Sequence, residues 1–145
     1  MRTGGTIVFD TRGRSDAGDR AKLRELARVL DLPPLVPLPR DHVLRRSYYL
    51  LSDLPGRRAG GTVWVEPSGE HVNDGVSSVV AGSDDWAGAW AVDDAQRPLF
   101  AVVPEGERQR ERAYRFGVNL VMYVLTGNYK ADQVHLPIIL ERLAP

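Results

Sequence analysis

Gly4-Gly5-Thr6-Ile7-Val8-Phe9-Asp10-Thr11 is the stretch on which the fold turns. Two glycines lead into an uninterrupted apolar run, which a carboxylate and a hydroxyl close. A run with no polar alternation reads as a strand buried on both faces, as interior strands of parallel sheets are. In open α/β sheets, ligands bind just beyond the carboxyl ends of the strands. Asp10 and Thr11 stand at that position. The strand begins within the first residues, so the sheet reads as one entered partway through.

Outward from this strand, helix and strand patterns follow one another. Asp19 is a suitable N-cap for a helix over residues 20–30, where Leu23, Leu26, Ala27 and Leu30 form one apolar stripe. The proline-rich run over residues 32–39 excludes helix and predicts an extended connector lying on the protein surface. Residues 41–51 read as a short helical or irregular segment. Residues 62–65, 76–81 and 98–103 are further strand candidates. Trp86–Trp90 reads as a helical turn, and Glu107–Thr126 as a long helix with a charged front and an apolar back. The spacing predicts a broad buried face of Phe116, Gly117, Leu120, Val121, Val124 and Leu125. Arg108, Arg112 and Arg115 then fall on a solvated side, and Arg110 and Arg112 could reach carboxylates of the middle segment. Gly127 is a natural stop. A last helix is expected over residues 131–143, with Val134, Ile138, Ile139 and Leu143 as its apolar positions.

The 145 residues are expected to form a single α/β domain, with no linker, internal repeat or low-complexity tract. A hydrophobic share of 43% is ordinary for a globular chain and argues against disorder. The 19 basic and 19 acidic residues cancel, so no net field favours nucleic acid or an anionic membrane. The charges are unevenly placed, however. Residues 1–60 hold 12 basic and 7 acidic residues, whereas residues 61–100 hold 1 and 7. Two oppositely charged faces attracting one another within one domain is the plain explanation; a basic site for an anionic ligand is the functional one. The absence of cysteine excludes disulfides, thiolate metal sites and a cysteine nucleophile in this segment. No secretory leader is visible. The most apolar helical stretch, residues 116–125, is too short to span a bilayer and contains Asn119, so direct membrane insertion is not expected.

Five residues are candidates for ligand binding: Asp10, Thr11, His42, Asp84 and Asp85. Asp10 and Thr11 close a strand that could bear a catalytic elbow, but Phe9 and Arg12 are too large for the usual small flanks. Hydrogen bonding at the strand end is the simpler role. Arg40-Asp41-His42 suggests an N-cap aspartate beside a surface histidine, or an anion-binding corner with Arg45 and Arg46. Neighbouring residues do not face each other on a helix, so Asp41 and His42 are no dyad. Asp84 and Asp85 precede Trp86 and Trp90, four residues apart, which close a core or line a polar-rimmed pocket. Three scattered histidines lack metal-ligand spacing, and no cofactor motif is present.

Several stretches together resemble one family. They are the opening strand, Arg40-Asp41-His42 with Ser47-Tyr48-Tyr49-Leu50-Leu51, and Asp74-Gly75-Val76-Ser77-Ser78 with Trp86-Ala87-Gly88-Ala89-Trp90-Ala91. So do Gly106-Glu107-Arg108-Gln109-Arg110, Asn119-Leu120-Val121-Met122-Tyr123 and the run from Leu125 to His135. The chain is similar to the domain-of-unknown-function family numbered 4159. The resemblance implies a flavodoxin-like, class I glutamine-amidotransferase-like, mainly parallel sheet with helices on both faces. It also implies a place at the C-terminus of large bacterial membrane proteins whose N-terminal part resembles the Bat aerotolerance regulators. Family members carry further strands before the Gly-Gly motif. The chain is therefore expected to be the C-terminal two-thirds of a larger domain, a fragment or a mis-started reading frame, with its first strand at an exposed edge. The resemblance supplies no catalytic residue, and the missing cysteine counts against amidotransferase chemistry.

The combined expectation is a noncatalytic binding or interaction module of a bacterial cell-envelope protein. Its partner would be a protein or its own missing N-terminal segment. It would be cytoplasmic as an isolated chain and membrane-tethered within a parent. The alternative is a small-ligand or hydrolase-like site at the strand ends.

Overall fold

The structure, a computed structural model, describes residues 5–12, 24–67 and 75–126. In chain order the elements are strand β1 (Ile7–Asp10), the described part of a helix over residues 24–29 (α1), and strand β2 (Val36–Pro37). A single 3-10 turn (Val43–Arg45), strands β3 (Trp64–Val65) and β4 (Val79–Gly82), and helices α2 (Trp86–Trp90) and α3 (Glu107–Thr126) follow.

The four strands form one sheet in the order β1-β4-β3-β2. The chain is thus α/β, but the sheet departs from the expected mainly parallel one. β1 runs parallel to β4, with Ile7 opposite Val79 and Asp10 opposite Gly82. β3 is antiparallel to β4, and β2 is antiparallel to β3. Short apolar runs carry no record of strand direction, so the ladder decides it. β4 and β3 are the interior strands, and Val79 and Val80 of β4 are fully buried. Among the described residues β1 is an edge, as expected, with Ile7 and Val8 exposed. The proline connector supplies β2 at the other edge, where Pro37 is tolerated because an edge strand can dispense with one N–H.

The expected strand over residues 98–103 does not form. Pro98 makes an isolated bridge to Val92, and Leu99 N–H donates to the Ala91 carbonyl. Beyond these, Val102 packs with Ala89 and Ala113, and Phe100 lies under the Arg57 guanidinium. The apolar content of this segment serves side-chain packing rather than a ladder. In α1 the described stripe residues Leu26 and Leu30 are exposed rather than packed on the core. That helix ends with Asp31 in the left-handed region, Asp31 N–H on the Arg28 carbonyl and Leu32 N–H on the Ala27 carbonyl. These are the two bonds of a Schellman stop. The start of this helix, Gly127 and the expected helix 131–143 lie outside the described residues.

The core is built on α3. Its buried residues Gln109, Ala113, Phe116, Leu120 and Tyr123 recur every three or four positions. Phe116, Leu120 and Tyr123 meet Trp86 from α2, Leu44 from the 3-10 turn, and Val65 and Val80 from the sheet, while Ala113 packs with Ala89 and Val102. This corrects the expected face: Val121 and Leu125 are 56% and 74% exposed. Together with Tyr114 and Val118 they form a second apolar stripe about 100° around the helix from the first. The sheet and α2 cover one side of α3 only. Leu120→Ala is therefore expected to cost about 2–5 kcal/mol. Leu125→Ala and Arg108→Ala should each change stability by less than about 0.5 kcal/mol in urea denaturation. Equal losses at Leu120 and Leu125 would refute this orientation.

Buried polar side chains stitch the pieces together. Gln109 Nε2 donates to the Gly56 and Val103 carbonyls, and its Oε1 accepts from Glu105 N–H. Arg110 does not reach carboxylates of the middle segment. It donates to the Ala89 and Phe100 carbonyls and pairs with Glu107 of its own helix. Arg112 meets Asp53 and Glu105 instead. Arg57 with Asp85, 3.0 Å apart, is the ion pair among the described residues that joins the basic first 60 residues to the acidic middle.

Candidate functional site at the strand ends

Because β1 and β4 are parallel, their carboxyl ends lie at the same edge of the sheet. Four of the five candidates gather there. Thr11 N–H donates to the Gly82 carbonyl (3.0 Å), and Thr11 Oγ1 donates to the same oxygen (3.4 Å). Asp10 accepts from Trp86 N–H (3.0 Å) with one oxygen and from Ala87 N–H (2.7 Å) with the other. Asp85 is the N-cap of α2, and its Oδ1 accepts from Gly88 N–H at 3.2 Å. Its own N–H donates to the Thr11 carbonyl at 3.2 Å.

These bonds have a single purpose. A helix begins with four backbone N–H groups that lack partners inside it. In α2 they belong to Asp85, Trp86, Ala87 and Gly88. The end of β1 takes the first three, and the Asp85 side chain takes the fourth. The polar close of the opening strand is thus the cap of a helix that starts 75 residues further along the chain. Asp85 reaches its position with φ 56° and ψ 59°. The αL region is uncommon for a residue with a side chain, though Asp tolerates it better than most.

Asp84 is buried, at 6% exposure, and its Oδ2 accepts from Gly61 N–H at 3.2 Å. Burial pushes its carboxyl above the usual value; the Gly61 bond opposes this and the nearby Asp10 charge adds to it. Burial also raises Asp10, against the pull of the Ala87 and Trp86 N–H groups and with a contribution from Asp85. A raised folded value means that the protonated form is favoured by folding. The contribution of Asp84 is then full below its ordinary 3.8 and lost as pH rises through the raised value. Asp84→Asn keeps an acceptor for Gly61 and removes the charge. At neutral pH this variant should be at least as stable as the parent chain, and its advantage should shrink as pH falls toward the ordinary carboxylate range. Urea denaturation across that range checks this; a difference independent of pH would refute it.

His42 does not join the cluster. It caps the 3-10 turn, its Nδ1 accepts from Leu44 N–H (3.1 Å), and its ring lies 5.5 Å from that of Tyr123. Tyr123 in turn accepts from Ser77 N–H, ahead of the amino end of β4. Burial chiefly lowers the His42 pKa, and Arg45 and Arg46 add to this while Asp41 opposes it. A neutral ring with an accepting Nδ1 suits the cap. The expected N-cap Asp41 is replaced in that role by His42 itself.

Sequence reasoning missed Arg57 and Gly61. Arg57 Nη1 binds Asp85, its Nε donates to the Ala101 carbonyl, and its guanidinium stacks on Phe100. No local pattern links residues 57 and 85. Gly61 had a usable signal in the density of glycines around residues 56–61. A Cβ there would collide with Asp84 Oδ1, and one on Gly82 would collide with the Trp86 ring. Beside the cluster lies a cavity of about 270 Å³, lined by Asp84, Asp53, Arg45 and the apolar side chains of Leu38, Leu54 and Val63. Among the described residues no group of three or more His, Cys, Asp or Glu side chains could hold a metal ion. No helix among them is long and apolar enough to cross a membrane.

Among curated proteins, nothing matches the chain. A family model does, over residues 1–125, and it covers the opening strand, the caps of α2 and nearly all of α3. The chain belongs to the family described as Domain of unknown function (DUF4159).

Proposed function

We propose that the chain is a noncatalytic binding or interaction module of a bacterial cell-envelope protein. The observation that supports this best is how Asp10 and Asp85 are employed at the strand ends. Asp10 gives both oxygens to backbone N–H groups of α2, and Asp85 gives its own to Gly88 and Arg57. These oxygens are thus oriented on donors of the protein itself, whereas a nucleophile or general base must be aimed at the substrate. His42, engaged near the other end of β4, offers these groups no base. The apolar stripe of Val118, Val121 and Leu125 and the edge of β1 that no strand among the described residues covers suit a partner, either another protein or a segment preceding Gly4. The cell-envelope setting rests on the family resemblance, in which such domains are tethered through a membrane-spanning parent.

A photo-crosslinker at Val121, in cells expressing the parent protein, is expected to give a discrete adduct, and one at Arg108 none. Incubation with ester, amide and phosphate substrates should give no turnover. Turnover that Asp10→Asn abolishes would overturn the noncatalytic reading. The cavity beside Asp84 favours a second reading, a small-ligand site at the strand ends.

A further inference from the structure

The cavity wall holds two charged side chains, Arg45 and Asp84, that form no ion pair among the described residues, although the Asp53 charge also acts on Arg45. Asp53 is met by Arg112 Nε at 3.2 Å. Arg45 and Asp84 differ from it: among the described residues neither takes part in an ion pair. Arg45 is braced by backbone alone, Nε on the Pro39 carbonyl (3.2 Å) and Nη1 on the Ser52 carbonyl (2.8 Å). These bonds hold the guanidinium in place and leave Nη2 without a partner among the described residues. Asp84 is similarly held through Oδ2 by Gly61 N–H, and among the described residues its Oδ1 takes no hydrogen bond. A fixed cation and a fixed anion thus line one cavity, each with a free polar atom.

We propose that this cavity binds a small zwitterion of amino-acid size, its carboxylate on Arg45 and its ammonium on Asp84. The proposal rests on the small-ligand reading of the strand-end site and names the ligand class. A simple anion would gain Arg45 but leave Asp84 facing it, and a simple cation would have the converse difficulty. A ligand with both signs meets both, and charge-assisted hydrogen bonds are the strong ones. The volume of about 270 Å³ lies just below the range of pockets for drug-sized ligands, so the occupant is smaller than a drug. Leu38, Leu54 and Val63 in the same wall suit an aliphatic side chain.

The test is a titration of the full chain, followed by the amide resonances of Gly60, Gly61 and Thr62. The probes are L-valine and L-leucine, with isovalerate and isopentylamine as single-charge analogues. The amino acids should shift these amides saturably. Each analogue should bind at least about tenfold more weakly, as expected for one lost charge-assisted hydrogen bond. Asp84→Asn and Arg45→Gln should each weaken amino-acid binding by a similar factor, with denaturation midpoints reporting whether the variants fold. The analogue series needs no variant, so it decides even if Arg45→Gln unfolds. Analogues binding as well as the amino acids would overturn the zwitterion and leave a small-ligand site standing. Failure of every probe to shift the cavity amides would overturn both. Neither result bears on the noncatalytic reading, which turnover tests.

Discussion

Trp86→Ala is expected to remove roughly 3–5 kcal/mol of stability, the range for truncating a large buried aromatic. Trp86 is fully buried and joins four parts of the molecule. It starts α2, lies against Gly82 at the end of β4, and packs on Phe116 of α3 with ring centroids 4.8 Å apart. Its Nε1 donates to the Leu54 carbonyl at 3.2 Å, which anchors the chain leading to the cavity. The alanine variant loses that contact area, leaves a void and strands the carbonyl. Trp86→Phe refills much of the void and should cost less, about 1–3 kcal/mol, mainly for the unpaired Leu54 oxygen. Trp90 is only half-buried, so Trp90→Ala should cost less than Trp86→Ala. Urea denaturation followed by circular dichroism gives the order. If Trp90→Ala proved the more damaging, α2 would not pack as described.

Asn119→Leu is expected to cost about as much, roughly 3–5 kcal/mol, although it makes the core more apolar. The Asn119 amide is fully buried and uses every hydrogen-bonding position. Oδ1 accepts from Tyr48 N–H (3.2 Å) and Tyr49 N–H (2.7 Å), and Nδ2 donates to the Leu44 (3.0 Å) and Tyr49 (2.9 Å) carbonyls. One side chain thus serves four backbone groups of an irregular segment that has no sheet to satisfy them. Each group left unsatisfied costs about 1–3 kcal/mol, less where water can enter, so the sum exceeds what leucine recovers by burial. With a total margin of about 5–15 kcal/mol, residues 44–49 should detach or the domain unfold. Hydrogen exchange would separate the two, since detachment raises exchange at Tyr48 and Tyr49 before the rest. A leucine variant within about 0.5 kcal/mol of the parent chain would refute this account of Asn119.

The same two residues mark the reach of the sequence. Trp86 and Trp90 were legible as a helical pair because their spacing is a property of the helix alone. Asn119 was legible only as a polar interruption in an apolar run. Its value comes from Leu44, Tyr48 and Tyr49, some 70 residues earlier. At the strand ends, Asp10, Thr11, Asp84 and Asp85 could be picked out because a parallel pair places its carboxyl ends together. That they mainly cap a helix could not be seen, since the cap joins residues 10–11 to residues 85–88. His42 was drawn into the set by its chemistry and removed from it by its position.

What the sequence determined by itself is local. The start of α3, the turn of α2, the core of β1 and the extended proline run follow from periodicity, turn residues and backbone restrictions, which act within a few residues. What the tertiary structure alone decided is non-local. Antiparallel β3 and β2, the exposed Val121 and Leu125, the failed strand over residues 98–103 and the Arg57–Asp85 pair all depend on which segments meet. A short apolar run is equally content in either strand direction, and a helix apolar over half its circumference can bury either flank. The choice falls to hydrogen-bond ladders and packing between distant segments, whose partners no local pattern names.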